Sequence, residues 1–436
     1  MSPRKGGWLA LAFIGPAALV MLAVTFYPMA YGIWMAFTDF SVRNIRHQDP
    51  HFVGLANFRQ YADSPQLLRS LGNSLFVATA TTAIVLVLAF AYALCLTRTC
   101  MAGRTAFKVA AFLPLLAPGL VKAIALVYWF GNQGVLKSWM LGGSIYGPTG
   151  IIMASVLWTF PHAVLILTTA LMLSDARLYE SAQALKTSAW RTFSVVTIPG
   201  VRYGLASAGI FVFVSVLTDF AIPKVIGGSY NVLATDIYKE VVGQQNFAMG
   251  AVVSVVLLVP ALIAFVIDRV ISARQSASFS ARSVAYTPRP HPLRDRLALL
   301  YCALVTVAML AVIGMGQFAA LVKFWPYNLA LTLKHYTFDV EGVGWENFFN
   351  SLRLAFVVAT VGAPLSLLVA YLVEKSRRGT LLRQVLHQVA LLPMAVPGLV
   401  LGLGYLLFIN DPANGLGFLY GTMTLLALST VSHYYT

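Results

Sequence analysis

The feature that most constrains this chain is the recurrence of apolar runs with few charges and about 20 residues long, the length of a membrane-crossing helix. They begin at Trp8, Asn73, Val109, Gly150, Tyr203 and Met249, and again near 297, 351, 388 and 417. Within hydrocarbon a backbone has no water to bond, so each run has to satisfy its own N–H and C=O groups, as a helix does. Ten such runs predict an all-α polytopic membrane protein with about ten transmembrane helices. Charged residues make up 10% of the 436, against about 25% in soluble domains, which excludes an ordinary soluble fold.

The net charge of +15 invites a nucleic-acid partner, but the basic residues sit in short turns between apolar runs rather than along one stripe. Counted on alternate sides of the runs, 19 Lys and Arg fall on one side and 9 on the other. The excess predicts that the N-terminus and the turn after the fourth run are cytoplasmic. Cys95, Cys100 and Cys302 lie in or beside apolar runs and form no CxxC pair, so they read as small core residues.

Residues 271–296 are rich in Ser, Arg and Pro and divide the chain into a first block (1–270), a linker and a second block (297–436). The blocks resemble each other. AFLPLLAPGLV at 111–121 matches ALLPMAVPGLV at 390–400, VGLANF at 53–58 recurs as VGWENF at 343–348, and Asn73-Ser74-Leu75 recurs as Asn350-Ser351-Leu352. Gly150 and His162 of the fourth run keep their spacing as Gly421 and His433 of the tenth, with Leu157/Leu428 and Thr159/Thr430 also agreeing. Both copies start on the same side, which makes them parallel repeats, an arrangement that lets a transporter place a path between halves. The offset carries Glu180 past Thr436, so the second repeat is expected to be truncated.

The stretch ESAQALKTSAWRTFSVVTIP, Glu180 to Pro199, stands between the fourth and fifth runs. Ser174 is placed to cap a short helix with Asp175 in its first turn, and Leu178, Ala182 and Leu185 would give that helix one apolar face. Ser188 is placed to cap a second short helix exposing Trp190 and Phe193, with Pro199 stopping it before the next run. Two short helices at a membrane surface suit another protein's groove; the plainer reading is an interfacial turn with Trp190 at headgroup level.

The stretch resembles the coupling loop of ABC importer permeases, whose pattern is Glu-Ala-Ala, three residues, Gly, nine residues, Ile-x-Leu-Pro. Glu180, Ser181 and Ala182 take the first places, Val196 and Ile198 the apolar ones, and Pro199 the last. Lys186 stands where the family has Gly, and a side chain there costs about 1–2 kcal/mol if the turn is left-handed. The resemblance extends over most of the chain to fused two-block permeases of the ferric-iron and phosphonate type. TDFAIPKVIGGSYNVLATDIYKEVVGQQNFAMGAV, from Thr218 to Val252, is most like permeases for 2-aminoethylphosphonate.

The resemblance implies a transport subunit of the bacterial inner membrane with no catalysis of its own. Glu180 would be the polar anchor of a coupling loop spanning 174–199, with Ser181, Ala182, Lys186, Trp190, Phe193 and Pro199 beside it. The partners would be a pair of cytoplasmic ATP-binding subunits and a periplasmic solute-binding protein, besides the lipid bilayer, with no nucleic acid. The chain would bind no cofactor, ATP acting on the partner; no Gly-Lys dipeptide occurs here, hence no GxxxxGK[ST] phosphate loop. A phosphonate is the expected solute, with ferric iron or another small solute as the alternative.

Ionisable groups inside apolar runs are functional candidates. Asp219 and Lys122 are read either as lining a path for a zwitterionic solute or as end-of-run charges that snorkel or pair. Pro114, Pro118 and Gly119, mirrored by Pro393, Pro397 and Gly398, break or bend the third run of each block, and so either face a path or only shape packing. His162 and His433 lack a second ligand at metal spacing and read as core residues. An ion-coupled secondary transporter would call for several carboxylates or histidines at mid-membrane, and the runs offer almost none.

Overall fold

The structure, a computed structural model, describes residues 26–40, 50–278, 284, 286–337, 344–375, 396–411 and 414–434. In chain order its helices are α1 (Tyr27–Met35), α2 (Ala56–Ala62), α3 (Pro65–Arg98), α4 (Arg104–Leu116), α5 (Gly119–Phe130), α6 (Pro148–Met172), α7 (Ala176–Ala184) and α8 (Ala189–Thr192). There follow α9 (Ile198–Leu217), α10 (Ala221–Ile226), α11 (Leu233–Tyr238), α12 (Phe247–Ser278), α13 (Pro292–Leu321), α14 (Trp345–Lys375), α15 (Gly398–Ile409) and α16 (Met423–Tyr434). After α13 comes a small antiparallel hairpin of β1 (Val322–Phe324) and β2 (Asn328–Leu331).

Six stretches among the described residues are long and apolar enough to cross a membrane, and a bent pair makes seven. They fall on the second to eighth runs, so the chain is a polytopic helical membrane protein. In the first, ninth and tenth runs the described helices α1, α15 and α16 are 9, 12 and 12 residues long. The N-terminus, most of the first run, Pro393 and residues 279–283 and 285 of the linker lie outside the described residues. The linker is framed more tightly than composition predicts, since α12 runs on to Ser278 and α13 starts at Pro292.

The third run is two helices meeting at 98°. Proline restricts the residue before it to extended backbone, and Ala117 accordingly has φ −88° and ψ 128°, which ends α4. Pro118 then caps α5 with φ −55° and ψ 148°. Pro397 caps α15 with φ −57° and ψ 136°, so the matched prolines of the two blocks adopt the same conformation at the same place.

Contacts divide the chain into two compact units. The first comprises Met1–Leu68, Leu233–Leu262 and Tyr336–Thr436, the second Arg69–Val232 and Ile263–His335. In the first, α1 packs along α15, and the Tyr31 hydroxyl donates to Asp411 at 2.6 Å. A Cβ added at Gly404 would meet the Pro28 carbonyl at 2.5 Å, and one at Gly32 would meet the Gly404 backbone at 3.1 Å. In the second, α13 packs along α4 and α5, and a Cβ at Gly316 would touch Ala125 and Val121 at 3.4 Å. The 279-residue offset that aligns 111–121 with 390–400 carries Ala125 onto Gly404. The first run of each block therefore packs, through a glycine, on the same point of the other block's third run. Between lipid-embedded helices, where the hydrophobic effect supplies no attraction, such small-residue approach is what dispersion contact needs.

A buried polar knot adds to this in the second unit. Tyr92 of α3 is fully buried; its hydroxyl donates to the Phe107 carbonyl of α4 at 2.9 Å, lies 3.0 Å from Thr306 Oγ1 of α13, and its ring meets Phe160 of α6 edge-on. The Trp129 indole of α5 donates to the Ala311 carbonyl of α13 at 3.1 Å.

Among the described residues Gly402 has nothing within 4 Å of an added Cβ, whereas Gly404 has backbone there. Gly404→Val is expected to destabilise the detergent-solubilised protein by about 1–3 kcal/mol more than Gly402→Val, through overpacking. Thermal unfolding of the two variants side by side measures the difference.

Candidate functional site

The stretch singled out by sequence forms a helical hook between α6 and α9. Asp175, not Ser174, is the N-cap of α7, its carboxylate accepting the Arg177 N–H at 3.1 Å. Ser174 is drawn away because its hydroxyl donates to the Leu171 carbonyl at 2.7 Å and accepts from Arg98. The buried face of α7 is Ala176, Tyr179 and Ala182. Of the three residues read as one apolar face, Ala182 is buried while Leu178 and Leu185 are 54% and 77% exposed. Tyr179 takes the buried face, its ring packed at a tilt against Tyr286 with centroids 4.8 Å apart while its hydroxyl donates to Thr197 Oγ1.

The end of α7 is a Schellman motif, with Thr187 N–H bonding the Ala182 carbonyl at 3.0 Å and Lys186 N–H the Gln183 carbonyl at 2.9 Å. That closure requires a left-handed residue, and Lys186 has φ +50°. Lysine thus occupies a position whose geometry favours glycine. Thr187 Oγ1 also bonds the Ala182 carbonyl and lies 2.9 Å from Thr192 Oγ1, bracing the turn from within.

Ser188 caps α8 as predicted, accepting the Arg191 N–H at 3.3 Å. Trp190 is 75% exposed, whereas Phe193 is half-buried between Phe90 and Trp190. Pro199 does not stop the helix. Phe193–Thr197 forms a π turn in which Ile198 N–H reaches the Phe193 carbonyl, and the helical run Ala189–Leu217 continues through the proline. Such a wide turn absorbs the ring and missing donor of a proline just beyond it. Glu180 and Ser181 are exposed, and Glu180 has no ion-pair partner among the described residues. Glu180, Leu178, Leu185 and Trp190 therefore present one acidic and three large apolar side chains outward.

Sequence reasoning missed what holds this hook. Arg98, at the end of α3, donates to the Leu171 carbonyl at 2.9 Å and to Ser174, reaches the Tyr179 hydroxyl, and sits 5.0 and 4.5 Å from the Tyr179 and Tyr286 ring centres. From the linker, the Val284 carbonyl accepts Ala176 N–H at 2.9 Å and Val284 N–H donates to Asp175 at 3.3 Å. The positive charge of Arg98 in the apolar run's last turn was the one visible signal; the linker's role had none.

The other named residues fall apart from the hook. Lys122, in the first turn of α5 just after Pro118, is 1% exposed, and its ammonium has no hydrogen-bond partner among the described residues. Asp219 accepts from Ala221 and Ile222 N–H, both at 3.2 Å, at the start of α10. Its charge and that of Lys122 are near enough to interact without forming a hydrogen bond. His162 packs at a tilt against Phe211 with ring centroids 5.0 Å apart, and among the described residues no three His, Cys, Asp or Glu gather at metal-binding distance. Two further carboxylates, Asp236 and Glu240, lie one turn apart after α10; burial, then Asp236, raises the Glu240 pKa above the ordinary carboxylate range.

Residues 101–277, which contain the hook and the α4–α5 break, match the family described as binding-protein-dependent transport system inner membrane component. The chain is similar to permease subunits of ABC importers. A Haemophilus influenzae protein named as a ferric transport system permease is 29% identical over 365 residues, covering 79% of this chain and 56% of that protein. The ferric transport system permease protein of Actinobacillus pleuropneumoniae is 28% identical over 385 residues, covering 84% and 54%. The chain thus spans little more than half the length of these relatives, which are named as transport permeases and not as enzymes. A crystal structure of a bacterial alginate ABC transporter with its alginate-bound periplasmic protein aligns with a TM-score of 0.49 at 18% identity, over 63% of this chain and 98% of that one.

Relief of the left-handed strain at Lys186 is worth about 1–2 kcal/mol, offset in part by the roughly 0.5–1 kcal/mol of unfolded-state entropy that glycine adds. Lys186→Gly is accordingly expected to raise amide protection across 182–192 a few-fold, and Lys186→Val to lower it. Hydrogen exchange on the two variants reads both directions.

Proposed function

We propose that this chain is the transmembrane permease subunit of a binding-protein-dependent, ATP-driven importer of the bacterial inner membrane. The observation that carries the reading is the braced hook within the family-matched segment, presenting Glu180, Leu178, Leu185 and Trp190 to a partner. Its partners are a pair of cytoplasmic ATP-binding subunits, one docking on the hook with Glu180 as polar anchor and Ser181, Ala182, Lys186, Trp190, Phe193 and Pro199 shaping the contact, and a periplasmic solute-binding protein. The hook and the N-terminus face the cytoplasm, as the 19 to 9 excess of basic residues favours. The chain binds no cofactor; ATP acts on the partner. Its blocks at 1–270 and 297–436 work as two halves joined by the linker 271–296.

Ferric iron is the leading solute, because both wide-coverage relatives carry ferric names. A phosphonate such as 2-aminoethylphosphonate is the second reading, favoured by one feature. Lys122 places an unpartnered ammonium in the first turn of α5, where broken-helix amides also attract anions, with Pro118 and Pro397 shaping the matched breaks and Asp219 within electrostatic range.

In the assembled transporter, Glu180→Ala is expected to lower solute-stimulated ATP hydrolysis about tenfold or more, as for truncation of an interface anchor worth ~1.4–2 kcal/mol, while membrane insertion stays intact. Undiminished stimulation would remove Glu180 from the coupling role. Running the same assay with ferric-loaded and phosphonate-loaded binding protein separates the two solutes.

A further inference from the structure

A groove of about 850 Å³ is walled by α3, α13 and the hook itself, which contributes Gln183, Thr187, Thr192 and Phe193. Its walls are stripes at helical spacing, Ala91, Leu94, Cys95 and Arg98 on α3 and Arg294, Leu297 and Tyr301 on α13. The two arginines mark one end, where α3 stops and α13 starts, and from there the walls become apolar toward Ala91 and Tyr301. Leu94, Leu297 and Ala298 thus give the two long helices an apolar wall facing the polar hook side.

Arg98 is the unusual member. Every acceptor it meets is neutral: the Leu171 carbonyl, Ser174, the Tyr179 hydroxyl and two aromatic rings. Its Nε is buried without a hydrogen-bond partner, and no carboxylate pairs with it among the described residues. Arg294 shares its charge with Asp295 at 3.1 Å but keeps a side chain 41% exposed. A half-buried guanidinium lacking a counter-ion is costly unless an anion joins it. Basic pockets between transmembrane helices at the cytoplasmic side suit anionic lipid headgroups.

We propose that this groove holds one anionic phospholipid, its phosphate on Arg98 with Arg294 beside it and an acyl chain along Leu94, Leu297 and Tyr301. Inorganic phosphate shares the headgroup chemistry but leaves the apolar wall empty, so the occupant is the lipid. Since Arg98 also fastens the hook, an occupied groove firms the surface that α7 and α8 present.

The test is native mass spectrometry of the full chain in neutral detergent, titrated separately with phosphatidylglycerol, phosphatidylcholine and sodium phosphate. Phosphatidylglycerol is expected to stay bound at least about fivefold more tightly than phosphatidylcholine, the worth of one basic contact. Phosphate is expected to bind far more weakly. Arg98→Gln should remove the preference. Because that change also loosens the hook, Leu297→Trp serves as a second variant, filling the apolar wall with Arg98 intact, and should lower phosphatidylglycerol retention by a similar factor. Equal retention of both lipids, retention unchanged in both variants, or phosphate bound as tightly as the lipid would each overturn the proposal.

Discussion

Close approach of glycine-bearing helices is the constraint on which this architecture rests. In hydrocarbon, two helices gain nothing by hiding leucines from each other, and contact has to come from packed backbone and a few interhelical hydrogen bonds. Gly32 on Gly404 and Gly316 on Ala125 supply the first; Tyr31 to Asp411 and Trp129 to Ala311 supply the second. Because each pairing joins the first run of one block to the third run of the other, the compact units cut across the sequence blocks. The repeat is a repeat of sequence and of local conformation, while the contacts are exchanged.

Much of this was legible beforehand. Apolar run length located seven spans, and the matched proline motifs located two breaks that have the same dihedrals at Pro118 and Pro397. The exchange of first runs was not legible, because apolar periodicity says which segments are buried and not against what. Within the hook, caps were read from residue type, and type was right for Ser188 and wrong for Ser174, where Arg98, 76 residues away, claims the hydroxyl. The burial of α7 is decided by a related effect: Tyr179 carries both an apolar ring and a hydroxyl, and its partners Tyr286 and Thr197 take the buried face while Leu178 and Leu185 stay exposed. Pro199 was read as a stop because a proline removes a donor, yet a five-residue π turn in front of it accommodates the loss.

Arg98 joins three parts that the sequence keeps apart: the end of α3, the carboxyl end of α6, and the ring stack of hook and linker. Leu171 belongs to the last turn of α6, whose exposed carbonyls attract a cation. A single side chain thus neutralises a helix end and clamps Tyr179 against Tyr286. Within the linker, compositionally the least structured part of the chain, Val284 pairs with Ala176 N–H and the Asp175 carboxylate at the start of α7.

The exchanged first runs set an order of events during synthesis. Tyr31 and its partner Asp411 are 380 residues apart. At about 5–20 residues per second, roughly 20–80 s separate the emergence of the two surfaces from the ribosome. Throughout that interval the glycine face around Gly32 sits in the bilayer without its mate, open to any other small-residue helix nearby. Assembly of this protein is therefore a problem of waiting as much as of packing.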